Sequence, residues 1–149
     1  MFDLLEPYRV KNFLSKKLET NNETGMLDIT VYHEDWKQPL SYAVVKIYKI
    51  SVSGEYNEVG EGRLIQELRT DINGKIPTVV LPILNELMPD KNDYYYIAVH
   101  HPTHHSAYIF NVEIYPGIAT NFEVHLRFRY TNEEYFKFNM QPRRSEIVN

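Results

Sequence analysis

The chain has no cysteine, one tryptophan and only six glycines in 149 residues. Lack of cysteine excludes a disulfide scaffold, a thiolate metal site and a cysteine nucleophile together. No apolar run approaches the length that crosses a bilayer, and membrane insertion is not expected. The opening Met1-Phe2-Asp3-Leu4-Leu5-Glu6-Pro7 has no basic segment followed by an apolar one, so synthesis in the cytoplasm without a secretory signal is expected. Excess basic charge is missing too. The net charge is −4, and Arg143-Arg144 is too small a basic patch, so nucleic acid is not an expected partner. There is no Gly-x-Ser-x-Gly elbow and no phosphate-cradling loop: Gly60-Glu61-Gly62-Arg63 carries acid where a phosphate would sit.

What is present is aromatic. Twelve Tyr and seven Phe favour strands and contact surfaces, within an otherwise ordinary 43% hydrophobic and 24% charged composition. Alternation supplies the strands. Leu27, Ile29 and Val31 interleave with Asp28, Thr30 and Tyr32 in Gly25–His33, and Ala43, Val45 and Ile47 share one face of Tyr42–Ile50. Lys46 reads as an outward, solubilising residue of that strand. Arg63–Thr70, with Leu64 and Leu68 on one face, leads into Asp71-Ile72-Asn73-Gly74-Lys75, which the Asn-Gly pair marks as a tight hairpin turn. Ile76–Leu81, Tyr94–His101, Ser106–Tyr115 and Thr120–Arg129 complete the set, the last alternating Phe122, Val124, Leu126 and Phe128 with charged or polar residues. Residues 83–92 form a connector with room for a short helical turn.

Seven short runs with no long helix between them predict an all-β protein: a seven-stranded antiparallel sandwich of immunoglobulin-like or transthyretin-like type over residues 25–129. Residues 1–24 and 130–149 are terminal extensions. In the first, Val10, Phe13, Leu14 and Leu18 stand at helical spacing behind Pro7, allowing a short amphipathic helix or an extended arm. In the second, Tyr135, Phe136, Phe138 and Met140 are too many apolar side chains for a solvated tail and must pack on this domain or on a neighbour.

Several short motifs are similar to those of carboxypeptidase-regulatory-like, or Cna-B-like, domains of transthyretin-like fold. They are Gly25–Val31 followed by Pro39-Leu40 and Ala43–Ile47, Thr70-Asp71-Ile72-Asn73-Gly74, Leu81-Pro82, Tyr96–Pro102, and Val112–Gly117 with Phe122–Leu126. His101-Pro102, Asn111-Val112 and Pro116-Gly117-Ile118 further resemble the N-terminal accessory domain of clostridial spore cortex-lytic enzymes and related peptidoglycan-binding proteins. The resemblance spans residues 25–128 and implies a fold more firmly than a function. In those proteins the domain accompanies a catalytic one, and no catalytic module is evident in this sequence. A spore setting, with spore or cell-wall proteins as partners, is what the resemblance implies. The Lys–Asn isopeptide bond of Cna-B domains is not expected, because residues 26–33 hold no Lys. The hydroxyisourate-hydrolase branch of the fold ends in Tyr-Arg-Gly-Ser, whereas this chain ends Gln-Pro-Arg-Arg-Ser-Glu-Ile-Val-Asn.

The densest chemistry is His100-His101-Pro102-Thr103-His104-His105. Neutral imidazoles suit zinc, copper or nickel, and His100, His101, His104 and His105 are the candidate ligands. Against a site, neighbouring strand residues point to opposite faces and no carboxylate lies close in sequence. Tyr94-Tyr95-Tyr96 offers carbohydrate or peptide stacking, but two outward aromatics and one inward describe an ordinary strand as well. No cofactor is expected. Three functions remain, in this order. The first is a non-enzymatic assembly protein forming homo-oligomers through edge strands and the extensions, using Val10, Phe13, Leu14, Tyr135, Phe136, Phe138 and Met140. The second is an accessory binding module recruiting a cell-wall enzyme or polymer, and the third a metal-dependent enzyme using the histidine cluster.

Overall fold

The computed structural model describes residues 7–16, 23–34, 38–56, 59–84 and 93–130, and the backbone alone of 138–140. Every element among them is a strand: β1 Tyr8–Lys16, β2 Thr24–His33, β3 Gln38–Pro39, β4 Val44–Ser53, β5 Val59–Arg69, β6 Val79–Pro82, β7 Tyr94–His101, β8 His104–Val112, β9 Ile118–Leu126 and β10 Phe138–Met140. One sheet runs β1-β9-β2-β3 with β6 also on β2, and the other β10-β8-β7-β4-β5. The alternation in sequence becomes the inner faces of these two sheets. Leu27, Ile29 and Val31 of β2 and Phe122, Val124 and Leu126 of β9 meet Val45 and Ile47 of β4, Ile97 and Val99 of β7 and Ile109 of β8, each at most 2% exposed. Each such side chain contributes roughly 1.5–3 kcal/mol through the apolar area it removes from water. Tyr95, also inward, satisfies its hydroxyl by donating to Pro82 O at 2.8 Å.

The all-β sandwich is therefore as expected, with more strands than seven. Nine of the ten segments have three residues or more, because chain outside 25–129 also joins the sheets. Where the spacing of Val10, Phe13 and Leu14 allowed a helix, β1 is extended and pairs antiparallel with β9 from Tyr8↔Leu126 to Lys16↔Ile118. Backbone pairing with an available edge satisfies every second amide of this segment, which a lone helix of that length could not match with one apolar face. Nor is the sandwich wholly antiparallel. β2 and β9 run parallel from Met26↔Ala119 to His33↔Leu126, and β10 runs parallel to β8 from Phe138↔Tyr108 to Met140↔Phe110.

The turn at residues 71–75 is present but is not a hairpin. β5 belongs to one sheet and β6 to the other, so the segment between them crosses the sandwich. Only Gly74 takes positive φ there (73°), whereas a two-residue primed hairpin turn needs both central residues in that region. Asp71 organises the turn instead. Its carbonyl accepts from Gly74 N at 2.9 Å, and its Oδ1 accepts from Asn73 N at 2.8 Å and Lys75 N at 3.0 Å. Thr70, buried just before it, accepts from Ala43 N at 2.9 Å and donates to Leu40 O at 2.8 Å. A bulge at Ile47/Tyr48 sets Leu64 opposite Tyr48 and Leu68 opposite Val45, so those two leucines face opposite sides rather than one.

Two changes test this packing. Thr120 is fully buried with no hydrogen-bond partner for its hydroxyl. Thr120→Val keeps the shape and removes the unsatisfied group, so it should stabilise the fold by about 1 kcal/mol in urea titrations. A Cβ on Gly74 would lie 2.3 Å from Val31 O at a φ of +73°, so Gly74→Ala should destabilise by roughly 1–3 kcal/mol.

Candidate functional site: a histidine corner and an open edge

At one end of the sandwich the polar residues converge. A register shift between Val99 and His101 brings His101, at the end of β7, opposite His104, at the start of β8. From the other sheet, β2 ends at His33 and turns at Glu34, which takes φ 51°. His33 Nδ1 lies 2.7 Å from His104 Nε2, and His104 Nδ1 lies 3.2 Å from His101 Nδ1. Thr103 stands at the second junction, its hydroxyl 3.2 Å from His101 Nδ1 and 3.0 Å from His104 Nδ1. Around this line, His33 Nε2 is 3.7 Å from Glu34 Oε2, and Tyr130 donates to Glu34 Oε1 at 3.0 Å. His125, stacked on Tyr32, hydrogen-bonds the Glu34 carbonyl at 2.7 Å.

Burial decides the charge state. His104 is 4% exposed, and this desolvation is the main reason its pKa drops from 6.5 to about 4, with His101 and His33 lowering it further, Glu34 opposing, and His105 adding a smaller push down. His101 is also lowered, first by burial, while a bond to the Ser41 backbone works the other way. At neutral pH these two are neutral imidazoles.

The four histidines expected as ligands do not converge. His100 lies on the outer face of its sheet, 2.7 Å from Ser106 Oγ, with its ring edge-on to Tyr108. His105 points away from His104, and its pKa is lowered by burial and then by Arg129 and Arg127. Alternation along β7 and β8 separates His100 from His101 and His104 from His105. Among the described residues no group of three or more His, Cys, Asp or Glu is arranged to hold a metal ion. The two ring nitrogens of His104 explain why. Its Nε2 meets one histidine and its Nδ1 the other, on opposite sides of one ring, so the three rings form a line rather than a pocket. Reading the sequence missed His33, which lies 71 residues from His104; only the pairing of β2 with β9 brings it there.

A second feature is the sheet face that carries His100. Tyr48, Tyr96 and Phe110 stand in a row, with centroids 5.4 and 4.5 Å apart and planes 34° and 26° apart, and Tyr108 lies parallel to Tyr96 at 6.5 Å. Burial, then Tyr108 and Tyr48, push the Tyr96 hydroxyl up to about 12. Rings stacked on one another present edges rather than faces outward, which is unlike a flat sugar-stacking platform.

The third feature is edge geometry. Val10 of β1 packs against the core, whereas Phe13 and Leu14 are 42% and 52% exposed. On β5, which closes the other sheet, only Leu68 is even half-buried. Val59, Leu64 and Ile65 there are 53%, 46% and 43% exposed, and a Cβ on Gly60 would meet open space. Of the C-terminal apolar residues, Tyr135 and Phe136 lie outside the described residues, and Phe138 and Met140 are described as backbone of β10 only.

No family model and no curated protein matches the chain. Among solved structures it is similar to 3-chlorocatechol 1,2-dioxygenase from Rhodococcus opacus, at 12% identity and a TM-score of 0.47 over 76% of this chain. The chain spans 63% of that protein's length, and a likeness at this level carries no argument about function.

The histidine corner makes stability depend on pH. The folded pKa of His104 lies below its unfolded value, so the unfolded chain binds more protons between pH 6.5 and about 4. Stability should fall as pH drops through that window and level off below it. Urea midpoints taken from pH 7 downward should show the fall in the native chain and a smaller one in His104→Phe; an identical slope in both would contradict the assignment.

Proposed function

We propose that the protein works without catalysis, as a unit of assembly that associates with copies of itself through its open sheet edges. The observation that supports this reading is β5. Eleven residues long, it is held by β4 alone among the described residues and leaves apolar Val59, Leu64 and Ile65 in water. A strand that reaches the core only through Leu68 gains little from its own fold. It gains more from a partner strand that takes up the outward backbone N–H and C=O groups and shields those side chains. Phe13 and Leu14 give β1 the same character at the edge of the other sheet, although Lys11 and Lys16 temper it. Two edges on opposite sheets allow head-to-tail contacts, which close into rings or grow into filaments. A second reading, an accessory module that recruits a cell-wall enzyme or polymer, would use the Tyr48–Tyr96–Phe110 row. The stacking of those rings on each other makes it the weaker of the two.

Light scattering on a sizing column should give a mass that rises with concentration above the 17.7 kDa of one chain. Ile65→Lys combined with Val59→Lys should return it to one chain with an unchanged far-ultraviolet spectrum. A native chain that stays monomeric at all concentrations, or a double variant that assembles as before, refutes the edge reading.

A further inference from the structure

β5 carries a symmetry that its own fold does not use. From Val59 to Leu64 it pairs with β4 without interruption, and the register shift falls beyond, between Leu64 and Gln66. Alternation in this straight run puts Gly60, Gly62 and Leu64 on the face that carries Tyr48, with Val59, Glu61 and Arg63 on the opposite one. The order Val59-Gly60-Glu61-Gly62-Arg63-Leu64-Ile65 is complementary to itself when read backwards. An antiparallel copy centred on Gly62 sets Glu61 opposite Arg63, Gly60 opposite Leu64, and Val59 opposite Ile65 at the end of the run, each pair occurring on both sides of the centre.

Neighbouring registers fail. A centre on Glu61 or on Arg63 lays like charges against each other on the axis, which opposes pairing. A centre between two residues brings side chains of different faces together. With the centre on Gly62, partners differ by an even number of positions. Residues that present their N–H and C=O outward then meet residues that do the same.

The two glycines and Arg63 fit that copy. A Cβ on Gly60 would meet open space, and its φ is not positive, so nothing in its own chain calls for glycine there. Glycine inside a strand weakens it and often marks the close approach of another backbone. Here it leaves the second copy's Leu64 a place to lie. Gly62 serves both sides: a Cβ there would stand 2.9 Å from Ile50 Cδ1, and on the axis it lets the two backbones meet without side chains between them. In its own ladder Arg63 stands opposite Lys49, a like charge, and Lys49 Nζ is 3.8 Å from Asp93 Oδ2. The second copy's Glu61 brings to the open side of Arg63 the carboxylate that β4 does not place opposite it.

Resting on the edge reading above, we propose that β5 pairs with β5 of a second copy, antiparallel about a twofold axis at Gly62. The β10-β8-β7-β4-β5 sheets of two chains thereby become one continuous sheet. Both chains use the same patch, so this contact closes as a dimer and leaves β1 for further growth.

Charge exchange in the full chain tests it, with mass read by light scattering on a sizing column. Glu61→Arg and Arg63→Glu each turn both Glu–Arg pairs into like-charge pairs, and each should weaken the dimer by about tenfold or more. Mixed together, the two variants regain opposite charges in every pair and should form a one-to-one dimer, which also shows that both fold. The chain carrying both changes keeps the pairs with their signs exchanged and should dimerise as the native chain does. Head-to-tail pairing of β5 with the basic β1 answers differently: Arg63→Glu strengthens it, Glu61→Arg weakens it, and mixing restores nothing. That pattern overturns the twofold, and so do single variants that assemble as the native chain does or a mixture that stays monomeric. In those cases the edge reading stands only if Val59→Lys with Ile65→Lys still returns the chain to a monomer. A native chain that is monomeric at every concentration ends both.

Discussion

The parallel ladder between β2 and β9 is the constraint on which the rest of the molecule depends. Eight residue pairs from Met26↔Ala119 to His33↔Leu126 join one of the earliest described strands to the last long one. With β9 held there, its other edge receives β1, and its inward Phe122, Val124 and Leu126 complete the core against the second sheet. The same register puts His33 level with Leu126. It also lets Glu34 N donate to Leu126 O at 2.7 Å, and it sends Arg127–Tyr130 across the histidines. Fold closure and the polar corner are thus consequences of one pairing.

Burial and polarity are distributed unevenly around that ladder. The middle of the sandwich is mostly aliphatic, and of its few polar groups the Thr70 and Tyr95 hydroxyls are satisfied by backbone carbonyls whereas that of Thr120 is not. At the histidine end the balance is closer. Burial there favours the neutral form of His104 and His101, whose ring nitrogens stand within hydrogen-bond distance of each other and of the Thr103 hydroxyl. At the opposite extreme, β5 takes almost no part in the core, and its stability depends on β4 or on whatever it meets outside the domain.

Much of the strand pattern was legible along the chain. Tyr94–His101 was placed residue for residue, because alternation flanked by polar connectors defines a half-buried strand locally. The turn at 71–75 was legible as a turn but not as a crossing. Asp71 and Gly74 fix the local bend, whereas the chain that follows is seated on β2 by Val31 N donating to Gly74 O and Ile76 N donating to Ile29 O. The helical spacing of Val10, Phe13 and Leu14 was a local signal overridden by a distant edge. As for the histidines, the composition of the cluster was plain, yet its partner His33 was not, since no periodicity relates residues 71 positions apart.

The amino-acid order by itself determined which residues alternate, where the backbone turns and which side chains are too apolar to stay in water, since these follow from a two-residue repeat and local dihedral preference. It also carried the argument that neighbouring strand histidines face apart, although His100 and His101 still stood together among the candidate ligands. Only the tertiary structure decided that β2 and β9 run parallel, that β1 is an edge strand, and that His33 meets His104. Those outcomes depend on which edges lie within reach when both sheets close on a common core, and no local stretch of the chain carries that information.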